Sequence, residues 1–515
     1  MNPDLHAMKH RPQVPFLALV ALLSTLAQGP ALAGPWQASG FKVGEVTDTT
    51  AIVWTRLTRN EERVHKPGVL PIIWYRDSKT KELLLKPKDG RKDWIVENTD
   101  NSLFNNESYF TPVPRYPEGE SLATVDGAVP GMAGEARVRY RAAGSSDWHS
   151  THWEKVDGRH DFTRHFHLTG LKPATRYELR VESRLDKNHP GATLTGSFGS
   201  AAAKTDPDNV VFTVSTGQAY IHIDDEVNGF RFYKAMEKLQ PDFFVHTGDF
   251  LYYDRLAKDL PLARWHWERM FSFPNLRDFH RQVPIYYTKD DHDTWMDDCY
   301  PKMKSHFMGT FTFDHGLMLW REQLPMSPKP YRTFRWGKDF QIWIMEGREF
   351  RSSNPDPDGP DKTIWGREQM AWFERTVRES DATFKVIVSP SPIVGPDRDN
   401  KFDNHSNPNW KFEGDRVRRF IASQKNTYVV CGDRHWQYVS VDTETGVKEF
   451  SCGPASDAHA GGWTNDMLRA EHRYLNVTGG FLAGFVERKR NEPRLIFRHY
   501  SVEGEMLNEV TLKAE

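Results

Sequence analysis

The chain has 515 residues, of which 38% are apolar and 27% charged, with 17 Trp and 31 Phe. That length accommodates two or three domains with their own cores, and the balance excludes a disordered chain. Lys and Arg (68) nearly cancel Asp and Glu (70), which removes the electrostatic footprint of a nucleic-acid or anionic-membrane binder and leaves a small or locally chelated substrate.

Lys9 and Arg11 precede the apolar run Val14 to Ala27, and a small-residue segment ends at Ala31-Leu32-Ala33. This three-part layout predicts a secretory signal peptide over 1–33, cleaved after Ala33, and the lack of an Arg-Arg pair favours the Sec-type route. A spanning helix needs ~20 apolar residues, more than this run or any later one supplies. The mature chain is therefore expected to be periplasmic or secreted, with no membrane span. From 34 to 205 the runs Thr49 to Leu57, Ala136 to Ala142 and Thr175 to Leu185 alternate apolar and polar residues with period two, as half-buried strands do. The segment LTGLKPATRYELRV resembles the turn and strand of fibronectin type III-like sandwiches, which would put Leu171 and Tyr177 in the core and Pro173 in the turn. Residues near 60–130, rich in Pro, Asn, Lys and Asp, read as a long insertion in this sandwich. Ala201 to Asn209 reads as a linker into a second domain, 206–515.

That second domain opens with strand VVFTVS and a helix carrying Phe232, Met236 and Leu239 on one face, ended by Pro241. DFFVHTGD, VPIYYTKDDHD, FKVIVSPSP and NTYVVCGDRHW follow, apolar β-rich runs that turn abruptly polar at their last residues. In layered α/β folds ligands bind at the carboxyl ends of strands, so these acids and histidines are expected to meet on one rim. Asp249 follows Gly248 at such an end, with Tyr252 three residues on; one loop holds Asp290, Asp291, His292 and Asp293; Asp433 and His435 end another strand. Packing so many acids together is costly unless cations neutralise them, and a carboxylate two residues from an imidazole is a common metal-ligand step. Cys299, Cys431 and Cys452 are too few for a disulfide framework and leave room for one pair.

HTGDFLYYD, DDHD and GDRH, in that order after a fibronectin-like domain, resemble the alkaline phosphatase D (PhoD-like) branch of metallophosphoesterases. The resemblance implies an α/β metallophosphoesterase fold, a β-sandwich core flanked by helices and preceded by an all-β fibronectin-like sandwich. It implies a site of iron(III) and calcium in which Asp249 bridges two metals, Tyr252 is a phenolate ligand, and Asp433 and His435 complete the shell. It further implies Asp290 or Asp291 as a ligand and His292 near the leaving group. The first strand of that family ends Ser-Cys-Gln with an iron-bound thiolate, whereas this chain has Thr216-Gly217-Gln218. His222, Asp224, Asp225 or a water is left to substitute, and manganese or magnesium becomes possible in place of iron. The family's Asp-Thr-Arg reads Glu346-Gly347-Arg348 here, making Arg348 and Arg434 candidate phosphate clamps.

The expected activity is exported, metal-dependent hydrolysis of a phosphate mono- or diester, carried by a small molecule, a phospholipid or a cell-surface polymer, through a metal-activated water. Two rivals remain. Cys452 to Ser456 (CGPAS) partly mimics a sulfatase motif but lacks its Arg. The other is a non-enzymatic exported polysaccharide- or surface-binding protein with a degenerate metal site, which the missing thiolate favours.

Overall fold

The computed structural model describes residues 34–85 and 110–515. The expected signal peptide and residues 86–109 of the expected insertion lie outside the described residues. Along Val210–Ser215, Phe243–His246 and Ile285–Tyr287 the apolar side chains alternate between two destinations. Phe212, Val214, Phe243, Val245 and Tyr286 enter one core, while Phe244, Ile285 and Tyr287 enter a second on the opposite face. Both faces are buried because these strands pair in parallel (Val214 with Val245, Val245 with Tyr286) and parallel sheets are covered on both sides.

The three strands lie in the middle of a nine-stranded sheet whose C-terminal side is completed by Phe481–Lys489, Glu492–Tyr500 and Met506–Lys513. A seven-stranded sheet faces it. Its Phe340–Ile344, Phe384–Ser389 and Thr427–Cys431 strands, also parallel, send Phe340, Ile342, Val386, Val388 and Val430 into the shared core, where the Phe212 and Phe340 rings stack at 5.0 Å. Helix Leu260–Phe271, N-capped by Asp259, packs Trp267 and Met270 on the outer face of the larger sheet. Helix Gly366–Glu379 packs Met370, Phe373 and Val377, at helical spacing, on the outer face of the smaller. The result is the expected β-sandwich flanked by helices. The helix expected to run to Pro241 stops earlier, at Phe232–Glu237, burying Phe232 and Met236 and leaving Leu239 beyond its end and only partly buried.

The preceding all-β part is also a sandwich, and its two sheets relate differently to the rest. Strands Gly134–Ala142, Arg176–Asp186 and His189–Gly199 form a separate sheet. Tyr177 is buried and its hydroxyl accepts the Lys172 N–H at 2.7 Å, the corner expected of a fibronectin-like turn. The facing strands, Phe41–Gly44, Thr50–Arg56 and Thr163–Thr169, extend the nine-stranded sheet itself, joined to Ile285–Tyr287 by a parallel pairing of Gly44 with Ile285. Hydrogen bonding therefore runs across the position read as a linker, where Ala201 and Ala202 are buried. Within the insertion, Ile73, Tyr75, Val125 and Ala128 pack on Leu256, Leu262 and Trp265. Among the described residues, no helix is long and apolar enough to cross a membrane.

Candidate metal centre

The parallel strands of both sheets deliver their polar tails to one rim, and backbone bonds tie those tails together. Gln218 N–H donates to Asp249 O at 2.7 Å, Thr216 Oγ1 to Gly248 O at 3.0 Å, and Asp433 N–H to Thr216 Oγ1 at 3.3 Å. Thr216 also bridges in parallel to Pro454, closing one sheet on the other. Gly248 has φ +108°, and a Cβ there would come within 2.6 Å of Asp290 Cβ, so only glycine lets these two loops meet. Asp249 and Asp433 are themselves left-handed, at φ 58° and 64°. Backbone in this region costs ~1 kcal/mol or more and collects at functional sites.

What meets there is a set of buried acids. Asp249, Asp291 and His292 form one group of potential metal donors and Asp249, Asp290 and Asp433 another, the donor atoms of each lying within 4.8 Å of one another. Asp249 belongs to both. Its Oδ1 and Asp290 Oδ2 are buried without a hydrogen-bond partner, the state expected of oxygens arranged for a cation. Burial, then the Asp291 charge, pushes the Asp249 carboxyl well above its ordinary range. Burial raises Asp290 to about 7 against the pull of Arg348. Asp291 is held below the usual carboxylate range because Arg348 and His292 outweigh its burial. Both its oxygens already accept backbone N–H groups, Oδ1 from His292 at 3.0 Å and Oδ2 from Asp298 at 2.6 Å. Asp293 is structural: it accepts from Phe250 N–H and Asp290 N–H at 3.1 and 2.6 Å, stitching the Asp249 and Asp290 loops.

Tyr252 Oη lies 3.3 Å from His435 Nε2 and 3.3 Å from His459 Nε2. Burial lowers both imidazoles, His459 to about 3, leaving them in the neutral form that ligates metals. His292 lies tilted against Tyr252, with ring centres 4.4 Å apart, and its Nδ1 is 3.0 Å from Asp254 Oδ2. Against its burial, Asp254 and then Asp291 push this ring well above the ordinary histidine range.

The two arginines read as candidate phosphate clamps are both buried among acids. Arg348 is fully buried; its Nε donates to Asp290 Oδ1 at 2.5 Å, Nη2 to Asp403 Oδ2 at 3.2 Å and Nη1 to Cys299 O at 3.4 Å. Arg434, also fully buried, donates to Asp397 Oδ1 at 2.6 Å and lies against the Asp433 carboxylate. Arg348, so enclosed, organises the acids, while Arg434 keeps Nε and Nη2 without a hydrogen-bond partner. The residues near Gly217 offered as substitutes for a thiolate are corrected in part: Asp225 accepts from Val227 and Asn228 N–H, and Asp224 from Arg231 N–H. The His222 ring lies behind His459, tilted against it with centres 4.7 Å apart. All three cysteines are free and buried, so the pair is absent, and burial raises the Cys452 thiol to about 12.

Asp254 and His459 were not singled out from the sequence. Asp254 sits on the one-turn helix Tyr253–Leu256, away from any strand end. His459 follows strand Lys448–Cys452, the parallel neighbour of Thr427–Cys431. A fifth apolar run turning polar, at PASDAHA, was the available signal.

Comparison with known proteins agrees with this geometry. The chain superposes on a structure titled "Structure of PhoD" with a TM-score of 0.66 at 15% identity, covering 94% of this chain and 90% of that one. It is also similar to purple acid phosphatase PPD1 from yellow lupin (Lupinus luteus) seeds, with a TM-score of 0.56 at 9% identity, covering 90% of this chain and 93% of that one. These likenesses establish the fold. No curated protein matches by sequence. The family model of PhoD-like phosphatases matches residues 212–480, the segment carrying Asp249, Tyr252, the DDHD loop, Asp433 and His435. By that match, over more than half of its length, the chain belongs to the PhoD-like phosphatase family and is a metal-dependent phosphoesterase.

Proposed function

We propose that this hydrolase acts outside the cytoplasm on phosphate mono- or diesters, using a dinuclear metal site. The observation that carries the dinuclear reading is the position of Asp249, which groups with Asp290 and Asp433 on one side and whose charge bears on the Tyr252 phenol on the other, as a bridging carboxylate requires. Asp290, with Oδ2 unbonded, and Asp433 would join it around one ion; Tyr252 and His435 would hold the other. Asp291 stands beside this shell with its oxygens engaged, and of the two neighbouring acids the unbonded oxygen favours Asp290. Carboxylates suit hard cations such as calcium, manganese or magnesium, whereas a phenol with an imidazole suits a transition ion such as iron(III). Bound cations would supply charge that lowers the pKa of a water and offsets that of the phosphoryl oxygens.

The chain's own residues do the rest. Arg348 fixes Asp290, and Asp293 fixes the backbone of both acid loops, so the donors are held before substrate arrives. Asp254 accepts from His292 Nδ1, which orients the ring and leaves Nε2 to give a proton to the departing alkoxide. Export rests on the layout of residues 1–33. The non-enzymatic alternative is set aside by the family and by the retained donors.

The test is hydrolysis of p-nitrophenyl phosphate and bis-p-nitrophenyl phosphate by the chain lacking residues 1–33, with iron, calcium, manganese or chelator. Chelator-sensitive turnover, restored by metal, is expected, and the ratio of the two rates separates monoesterase from diesterase. Turnover indifferent to chelator would contradict the site.

A further inference from the structure

We propose that His459 is a metal ligand through Nε2, supplying the donor that this chain lacks at position 217. The inference rests on the dinuclear reading above and concerns a residue outside the family motifs. Three observations converge on it. First, His459 Nδ1 is 2.8 Å from the Gly217 carbonyl oxygen, which can only accept, so Nδ1 carries the proton and Nε2 presents a bare lone pair. A backbone carbonyl holding the distal N–H is the usual outer partner of a metal-bound histidine, fixing tautomer and ring angle. Second, that lone pair points at Tyr252 Oη, 3.3 Å away, and the same oxygen is 3.3 Å from His435 Nε2. The two imidazoles stand 4.0 Å apart, ring centre to ring centre. Two imidazole Nε2 atoms and a phenol oxygen thus converge on one point, the grouping of nitrogen and oxygen donors that a single cation accepts.

Third, position 217 is crowded by the site itself. A Cβ on Gly217, whose φ is +55°, would lie 3.2 to 3.4 Å from the His435 ring and 3.3 Å from Pro454. His459 is 92% or more buried, and its loop is held by His459 N–H to Ser456 O and Ala460 N–H to Asp457 O. The backbone carbonyl at the vacated position has become the group that aims the replacement donor. An all-nitrogen and oxygen shell of Tyr252, His435 and His459 is harder than one containing thiolate, and favours iron(III), manganese or zinc over ions that need sulfur.

The experiment is cobalt(II) titration of the metal-stripped mature chain, read by the visible d–d absorption and by bound metal per chain, on wild type, His459→Ala, His459→Gln, His222→Ala and Asp249→Asn. Wild type is expected to take two ions. His459→Ala and His459→Gln should each weaken one of them at least roughly tenfold, with added imidazole restoring it in the alanine variant. His222→Ala, altering the ring behind His459, should bind as wild type does; loss of an ion there with both His459 variants unaffected would make His222 the donor and overturn the proposal. The glutamine variant keeps a donor for the Gly217 carbonyl, so circular dichroism matching wild type separates lost ligation from lost folding. Two ions bound with unchanged affinity and spectrum in both His459 variants would overturn this proposal while leaving the dinuclear reading intact. Two ions retained in Asp249→Asn would overturn that reading instead.

Discussion

At the scale of single residues, what distinguishes the candidate site is which polar atoms are left without partners. Asp290 spends one oxygen on Arg348 and keeps the other free, whereas Arg348 spends its donors on carboxylates and a carbonyl. Replacing Arg348 with Met should therefore act on the fold: removing one side of a buried ion pair costs about 3–5 kcal/mol, read as a lower midpoint in urea. A raised KM at unchanged stability would restore it as a phosphate clamp. His292 has the opposite signature, a ring oriented by Asp254 with its second nitrogen uncommitted to backbone. His292→Asn should slow alkyl phosphate esters by about 10²-fold and p-nitrophenyl esters much less, because p-nitrophenolate leaves without a proton. Equal losses on the two leaving groups would exclude the acid role. Asp249, the DDHD loop, Asp433 and His435 were legible because each follows an apolar run that ends abruptly. Burial of Arg348 and Arg434, and the inward turn of His459, depend on chain segments far away in sequence and left no local mark.

At the scale of elements, a strand is read easily and its neighbour is not. Val210–Ser215, Phe384–Ser389 and Thr427–Cys431 fall within the apolar runs that announced them. The pairing of Gly44 with Ile285, which welds the N-terminal strands to the catalytic sheet, has no sequence signature, since register follows from which faces must be buried. Strand entry also carries a titratable feature. Asp242 accepts the Val211 N–H at 2.8 Å where the two strands begin, and burial raises its carboxyl from 3.8 to about 6. A carboxyl raised on folding favours the protonated fold, so stability falls as pH rises from about 4 through about 6 and stays reduced above. Asp242→Asn keeps an acceptor without the charge; allowing for partial exposure, it should stabilise by about 1–2 kcal/mol at pH 8. At pH 4 the gain should vanish. Thermal melts at both pH values check this, and an equal shift at each would contradict it.

At the scale of the whole molecule, two sheets converge to hold carboxylates that repel one another. Asp249, Asp290, Asp291 and Asp293 are all buried within two adjoining loops. Cations bound at this rim stabilise the folded state by mass action, about 2.7 kcal/mol at a metal concentration a hundred times Kd. Chelation should accordingly lower the melting temperature, and restored metal should raise it again; a melt unchanged by chelator would mean that the acids meet without an ion. The same convergence explains why fold class and site were readable together: strands long enough to be recognised end where the chemistry is. The most direct measurement is bound metal and phosphoester turnover on the same preparations of residues 34–515 and of their Asp249→Asn variant. The account predicts that the variant folds, holds less than one ion in place of two, and has lost hydrolysis of both p-nitrophenyl phosphate and bis-p-nitrophenyl phosphate. A variant that keeps two ions, or full turnover, would contradict a site built around Asp249.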